Sequence, residues 1–189
     1  MCILCIATNS FDPARHSSDA ELASNSSNWG TLDEMAQYIT EGYYSDTGRS
    51  SRKWNLSDTG VNAKSGVITY SLGNNWFDSD GVNSGHAKLI RKAFKYMENI
   101  TGIDFQKTAN GSVADIAFGN KDSGAHVVTY TIGGIISQGS INIEPDWSAD
   151  DKSFLYSTIL HEIGHVLGLG HPGNYNSSAK FSTNAKFKK

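Results

Sequence analysis

The chain has 189 residues, 38% of them hydrophobic and 19% charged, with a formal net charge of -3. That length suits one domain with a buried core, and the composition is that of an ordinary globular protein. Lysines and arginines are scattered rather than gathered on one face, so no nucleic-acid partner is expected.

Residues 1–30 are polar and rich in Ser and Asn, as in SSDAELASNSSNWG, and read as a flexible leader or pro-segment. Residues 31–189 then form the folded domain. Cys2 and Cys5 stand too close to frame a disulfide-stapled fold, and no thioredoxin-like setting follows them. The apolar opening ILCIA is too short, and lacks the basic flank, for an N-terminal signal peptide. No stretch has the length and apolarity of a membrane span. In TLDEMAQYITEGYY, Thr31 with Glu34 makes a capping-box pattern. It predicts a helix over 32–42 whose apolar face is Leu32, Met35, Ala36 and Ile39.

Residues 45–65 are turn-rich and read as a long connection. GVITYSL (66–72) has the β-branched and aromatic content of a strand, with Val67, Thr69 and Ser71 alternating against Ile68, Tyr70 and Leu72. DSDG (78–81) is half of a calcium loop, but the position of the EF-hand glutamate is taken by Leu89, so a tight surface turn is expected. HAKLIRKAFKYMENIT then carries a helical stripe of Leu89, Ile90, Ala93, Phe94, Met97 and Ile100, ended by Gly102. Short strands are predicted at IDFQKT, ADIAFG, AHVVTYTI and SINIEP. With a last helix after them, the order is that of an α+β fold, a sheet backed by helices.

That last helix is predicted over 153–168, with Asp150, Asp151 and Ser153 as candidate caps and Leu155, Ile159, Ile163, Val166 and Leu167 as its apolar stripe. It carries HEIGHVLGLGHPG. His161 and His165 are one turn apart, so both imidazoles leave the same side, half of a tetrahedral zinc site. Glu162 cannot readily join them on the metal but can reach a water there, which is the place of a general base. Gly168 can take the positive φ that reverses the chain. His171 can then return as the third ligand, and Pro172-Gly173 stop any helical continuation. Three imidazoles leave a position open for water, as in a catalytic rather than a structural zinc site. His16, His86 and His126 lack such company and read as ordinary surface or core residues.

HEIGHVLGLGHPGNYN resembles the zinc signature of the metzincins, in particular the serralysin branch of zinc metalloproteases, and the likeness extends upstream over most of residues 30–178. The resemblance implies a metzincin-like catalytic domain, a twisted mixed sheet backed by two long helices. It implies Zn2+ held by His161, His165 and His171, with Glu162 as the catalytic base. AHVVTYTI corresponds to the family's edge strand, which pairs with an extended substrate backbone. Protein or peptide substrates cleaved with broad specificity follow, as does an extracellular location; a proteinaceous inhibitor is a second candidate partner. The chain departs from the family pattern beyond His171. Its methionines, Met1, Met35 and Met97, all precede the motif, so the family's methionine turn has no counterpart, and Tyr175 does not take the family's tyrosine-ligand role. The Ca2+-loaded β-roll and the C-terminal secretion signal have no counterpart either. The expectation is a chain cut before the methionine turn, its C-terminal subdomain largely missing, that keeps zinc while its peptide hydrolysis is weak or absent. The alternative is a catalytically weak or inactive zinc-binding fragment that only binds peptide or inhibitor along its edge strand.

Overall fold

The computed structural model describes residues 31–148 and 152–172. The leader, Cys2, Cys5, His16, Asp150, Asp151, Tyr175 and the sequence from Gly173 onward lie outside the described residues. Two compact units are formed, one by residues 52–169 and the other, among the described residues, by 31–51 with 170–172.

In the second unit, helix α1 (Leu32–Gln37) opens with the expected capping box. Thr31 Oγ1 accepts from Glu34 N at 3.2 Å, and the Glu34 carboxylate accepts from Thr31 N at 2.8 Å. The helix does not stop at 42. It widens into a π-turn, Tyr38–Gly42, and continues as α2 (Tyr43–Asp46). The expected apolar face is not the buried one: Leu32 is 89% exposed, while Tyr38, Tyr43 and Tyr44 are buried. A π-turn holds an additional residue, so side chains five apart come onto one face, which suits Tyr38 with Tyr43. The larger aromatic surface then outweighs a stripe of Leu, Met and Ala. The Tyr38 hydroxyl donates to Asp46 at 3.1 Å, tying the start of the turn to the end of α2.

The first unit is a five-stranded sheet in the order β2-β1-β3-β5-β4. Its strands are β1 (Val67–Ser71), β2 (Asp104–Lys107), β3 (Ile116–Gly119), β4 (His126–Ile132) and β5 (Ile135–Asn142). The β1–β2, β1–β3 and β3–β5 pairs are parallel, and β4 runs antiparallel to β5 at the edge. This mixed sheet with its helices is the expected α+β architecture. β5 begins five residues earlier than SINIEP suggests, because Gly133 and Gly134 both take positive φ (58° and 80°). That is what a two-residue hairpin turn with the twist of its strands requires.

Helix α3 (Ser84–Thr101) is capped by the Asn83 side chain and ended by Gly102 at φ 72°. It buries Leu89, Ile90, Ala93, Phe94 and Met97 as expected, but Ile100 is 59% exposed. At about 100° per residue, Ile100 lies some 80° around from Ile90, at the margin of the stripe and in the last turn. Phe94 lies within 4.3–5.7 Å (ring centroids) of Tyr70, Phe105 and Phe118, which fuses helix and sheet. His86 is fully buried, its Nε2 donating to Trp147 O at 2.8 Å and its Nδ1 accepting from Asn120 at 2.9 Å. His126 is half-buried on β4. DSDG does turn tightly, with Gly81 at φ 69°, but Asp78 is buried rather than on the surface. Its carboxylate accepts from the Asp80 and Asn120 backbone amides at 3.0 and 2.9 Å.

Helix α4 (Lys152–Val166) lays Leu155, Ile159, Ile163 and Val166, all fully buried, into the core, while Leu167, expected in the same stripe, lies just past the helix end and is half-buried. Ser153 lies within the helix rather than capping it. Gly139 of β5 lets the helix come close, since a Cβ there would fall 2.4 Å from Val166 Cγ2.

Candidate metal centre

The α4 helix places His161 and His165 as its period demands. Their rings stand nearly perpendicular, 82° apart with centroids at 4.4 Å, and the two Nε2 atoms face each other at 2.9 Å. Glu162, between them in sequence, is fully buried.

How the helix ends decides how His165 is held. Gly168 takes φ 104°, Gly168 N donates to His165 O at 3.0 Å, and Leu169 N donates to Gly164 O at 2.9 Å. That pair of bonds is a Schellman close. It swings Leu169 around so that its carbonyl meets His165 Nδ1 at 2.8 Å. A carbonyl only accepts, so Nδ1 carries the hydrogen and the Nε2 lone pair is left toward His161. Gly168 is also required by space: a Cβ would lie 2.3 Å from Arg52 O.

The segment around Arg52–Trp54, read from sequence as part of a long, turn-rich connection, completes this end. Lys53 pairs with Ile135, its N donating to Gly134 O at 3.1 Å and its O accepting from Ile136 N at 2.8 Å. Trp54 is buried and donates Nε1–H to Val166 O at 2.9 Å, satisfying a carbonyl that the ended helix leaves open. The signal that could have found it is the tryptophan itself, a large amphipathic ring in an otherwise polar, turn-rich run.

In the other unit, His171 is buried and stands 5.3 Å from the Tyr43 ring at 78°. The residue before it, Gly170, donates N–H to Ile39 O at 2.6 Å.

Residues 61–184 match the family model described as Matrixin. The chain belongs to the matrixin family of metallopeptidases. Among curated relatives, Serralysin G of Dickeya chrysanthemi is 26% identical over 170 residues, covering 79% of this matrixin and 35% of the relative. Metallopeptidase AprA of Pseudomonas marginalis is 32% identical over 95 residues, covering 45% and 20%. The hatching enzyme of Paracentrotus lividus is 28% identical over 116 residues, covering 55% and 19%. These place the matrixin with the serralysin-type metzincins, as its sequence motif implied. It spans about a third or less of the length of these relatives.

Zinc is the metal the family implies, and the residues present fit it. Imidazole nitrogen is a good zinc donor, and a histidine whose other nitrogen is tied to a carbonyl is oriented and made more basic for that purpose. His165 has that tie, and His161 shares its helix face. The helix and its Schellman close thus present two imidazoles from one face, one of them already oriented through its Nδ1.

Proposed function

We propose that this matrixin is a zinc-dependent endopeptidase, with His161, His165 and His171 as metal ligands and Glu162 as the catalytic base. The observation that carries the reading is the carbonyl of Leu169 on His165 Nδ1, which commits that imidazole to donate through Nε2. Three neutral imidazoles make a donor set suited to zinc and leave a coordination position for water. When bound, zinc supplies a Lewis acid that lowers the pKa of its water and polarises the peptide carbonyl.

Glu162 takes a proton from the attacking water as the oxygen bonds to the carbonyl carbon. It returns that proton to the leaving nitrogen as the C–N bond breaks, acting first as base and then as acid. Burial keeps its carboxylate from moving freely and excludes competing water. Among the described residues, strand β4 is last in the sheet and pairs on one side only. An extended peptide that pairs with that edge is held through main-chain groups, so protein substrates of varied sequence would be accepted. By likeness to its serralysin relatives we place the protein outside the cell, and a proteinaceous inhibitor would occupy the same edge. Among the described residues no helix is long and apolar enough to cross a membrane.

The test is cleavage of a quenched fluorescent peptide by the zinc-loaded chain. Wild-type turnover should fall by about 10²–10⁴ in Glu162→Gln and vanish when a chelator removes the metal. A folded, zinc-loaded wild type that binds the peptide without cleaving it would replace this reading with that of a peptide-binding fragment.

A further inference from the structure

We infer that Tyr43 is a positioning residue for His171, brought to it by the π-turn Tyr38–Gly42; the inference rests on His171 being the third metal ligand. The helix pair has its own means of orientation, since His161 and His165 project from one rigid surface and His165 is tied to Leu169. His171 lies beyond the end of the helix, outside that rigid surface. Two contacts within its unit bear on its position. The backbone just before it is pinned by the Gly170 N–H donating to Ile39 O, within the π-turn, at 2.6 Å. The imidazole then meets the Tyr43 ring at 5.3 Å and 78°, the crossed arrangement that aromatic quadrupoles favour.

Both contacts depend on the irregular turn. A regular helix from Leu32 onward would carry Tyr43 about 100° further around the axis than a helix with one residue inserted. The inserted residue brings the Ile39 carbonyl and the Tyr43 ring to the same short stretch of chain. The approach is close enough to constrain residue 170, where a Cβ would fall 2.2 Å from Tyr43 Cδ1 and 2.5 Å from Cγ. Those are atoms near the backbone of Tyr43 and cannot swing away. Tyr43 is 5% exposed and His171 4%, so the contact lies in a dry interior where an imidazole gets little orientation from water. Tyr43 thus does by ring packing for His171 what the Leu169 carbonyl does by hydrogen bonding for His165.

Zinc affinity of the full chain, measured by competition with a chromophoric chelator, tests this in four proteins. His171→Ala should weaken binding by 100-fold or more. Tyr43→Leu should weaken it by about 10-fold, the lower end of what outer partners of metal ligands contribute, while Tyr43→Phe, which keeps the ring, should stay within about 3-fold. At saturating cobalt, the visible absorption of Tyr43→Leu should differ in intensity from wild type, which a loss of stability alone would not produce. Wild-type affinity in His171→Ala would remove the ligand on which the inference rests. A weakened His171→Ala beside a folded Tyr43→Leu with wild-type affinity and spectrum would overturn the role of Tyr43 alone. Should Tyr43→Leu fail to fold, the wild-type protein still decides. Nuclear Overhauser contacts between the Tyr43 and His171 rings must persist when zinc is bound, and their loss on loading would sink the inference.

Discussion

The two halves of the HEIGHVLGLGHPG motif are held by different physics. His161 and His165 sit on a helix whose buried stripe, Leu155, Ile159, Ile163 and Val166, docks it on the sheet. Their spacing follows from 3.6 residues per turn, and only the ring of His165 needs a partner, which the Schellman close supplies. His171 has no such frame. In its unit it is set by a main-chain bond to Ile39 and a ring contact with Tyr43, both from a segment far away in sequence. The comparison teaches that a metal motif read as one continuous string can depend on two unrelated supports.

The largest expected effect breaks the helix-borne support. Gly168→Ala puts a Cβ against Arg52 O at a backbone φ of 104°, where side chains are strained wherever they find space. We expect a loss of about 3 kcal/mol in urea unfolding of the metal-free protein. Zinc affinity should fall with it, since the Leu169 carbonyl can no longer be delivered to His165. If Gly168→Ala were as stable as wild type, the helix end would not be the support described.

A smaller effect separates closing the helix from orienting its histidine. Trp54→Phe keeps most of the buried ring but leaves Val166 O without its indole donor. An acceptor left unsatisfied in the interior costs about 1–3 kcal/mol, which the same unfolding measurement would show. Zinc affinity should stay within about 3-fold, because the carbonyl that ties His165 belongs to Leu169 and is untouched. A large drop in affinity would mean that the two carbonyls act together.

What the sequence made legible divides along the same line. The period of the last helix, the capping box at Thr31 and the glycine reversals at Gly102 and Gly168 are local rules, and each appears as read. The π-turn is not local in this sense. A 3.6-residue stripe through Leu32, Met35, Ala36 and Ile39 is a sound reading of an isolated helix, yet three tyrosines bury more surface once one residue is inserted. The role of Trp54 was hidden because its partner, Val166, is a tertiary fact, whereas the early start of β5 carried a local signal, the Gly133-Gly134 pair of a two-residue hairpin, that the strand reading passed over. The spacing makes His171 a candidate ligand, whereas Tyr43 carries no motif at all.

The smallest effect concerns the sheet that supports the helix-borne half, and it is read by pH. Tyr70 of β1 is 6% exposed and packs against Phe94. Burial pushes its phenol above the usual value of 10.0; the charge of Arg91 pulls it back in part and that of Glu98 adds to the rise. A raised pKa in the folded state means that the folded protein holds this proton more tightly than the unfolded chain. The contribution is therefore complete below about pH 10 and declines as pH rises through the folded value. Tyr70→Phe has no proton to lose. Its stability, compared with wild type by urea unfolding at pH 8, 10 and 11, should differ by a constant amount up to about pH 10. Above that it should decline less steeply than wild type. Parallel declines would mean that Tyr70 is as well solvated in the folded protein as in the unfolded one, and that the aromatic core between α3 and the sheet is looser than its packing implies.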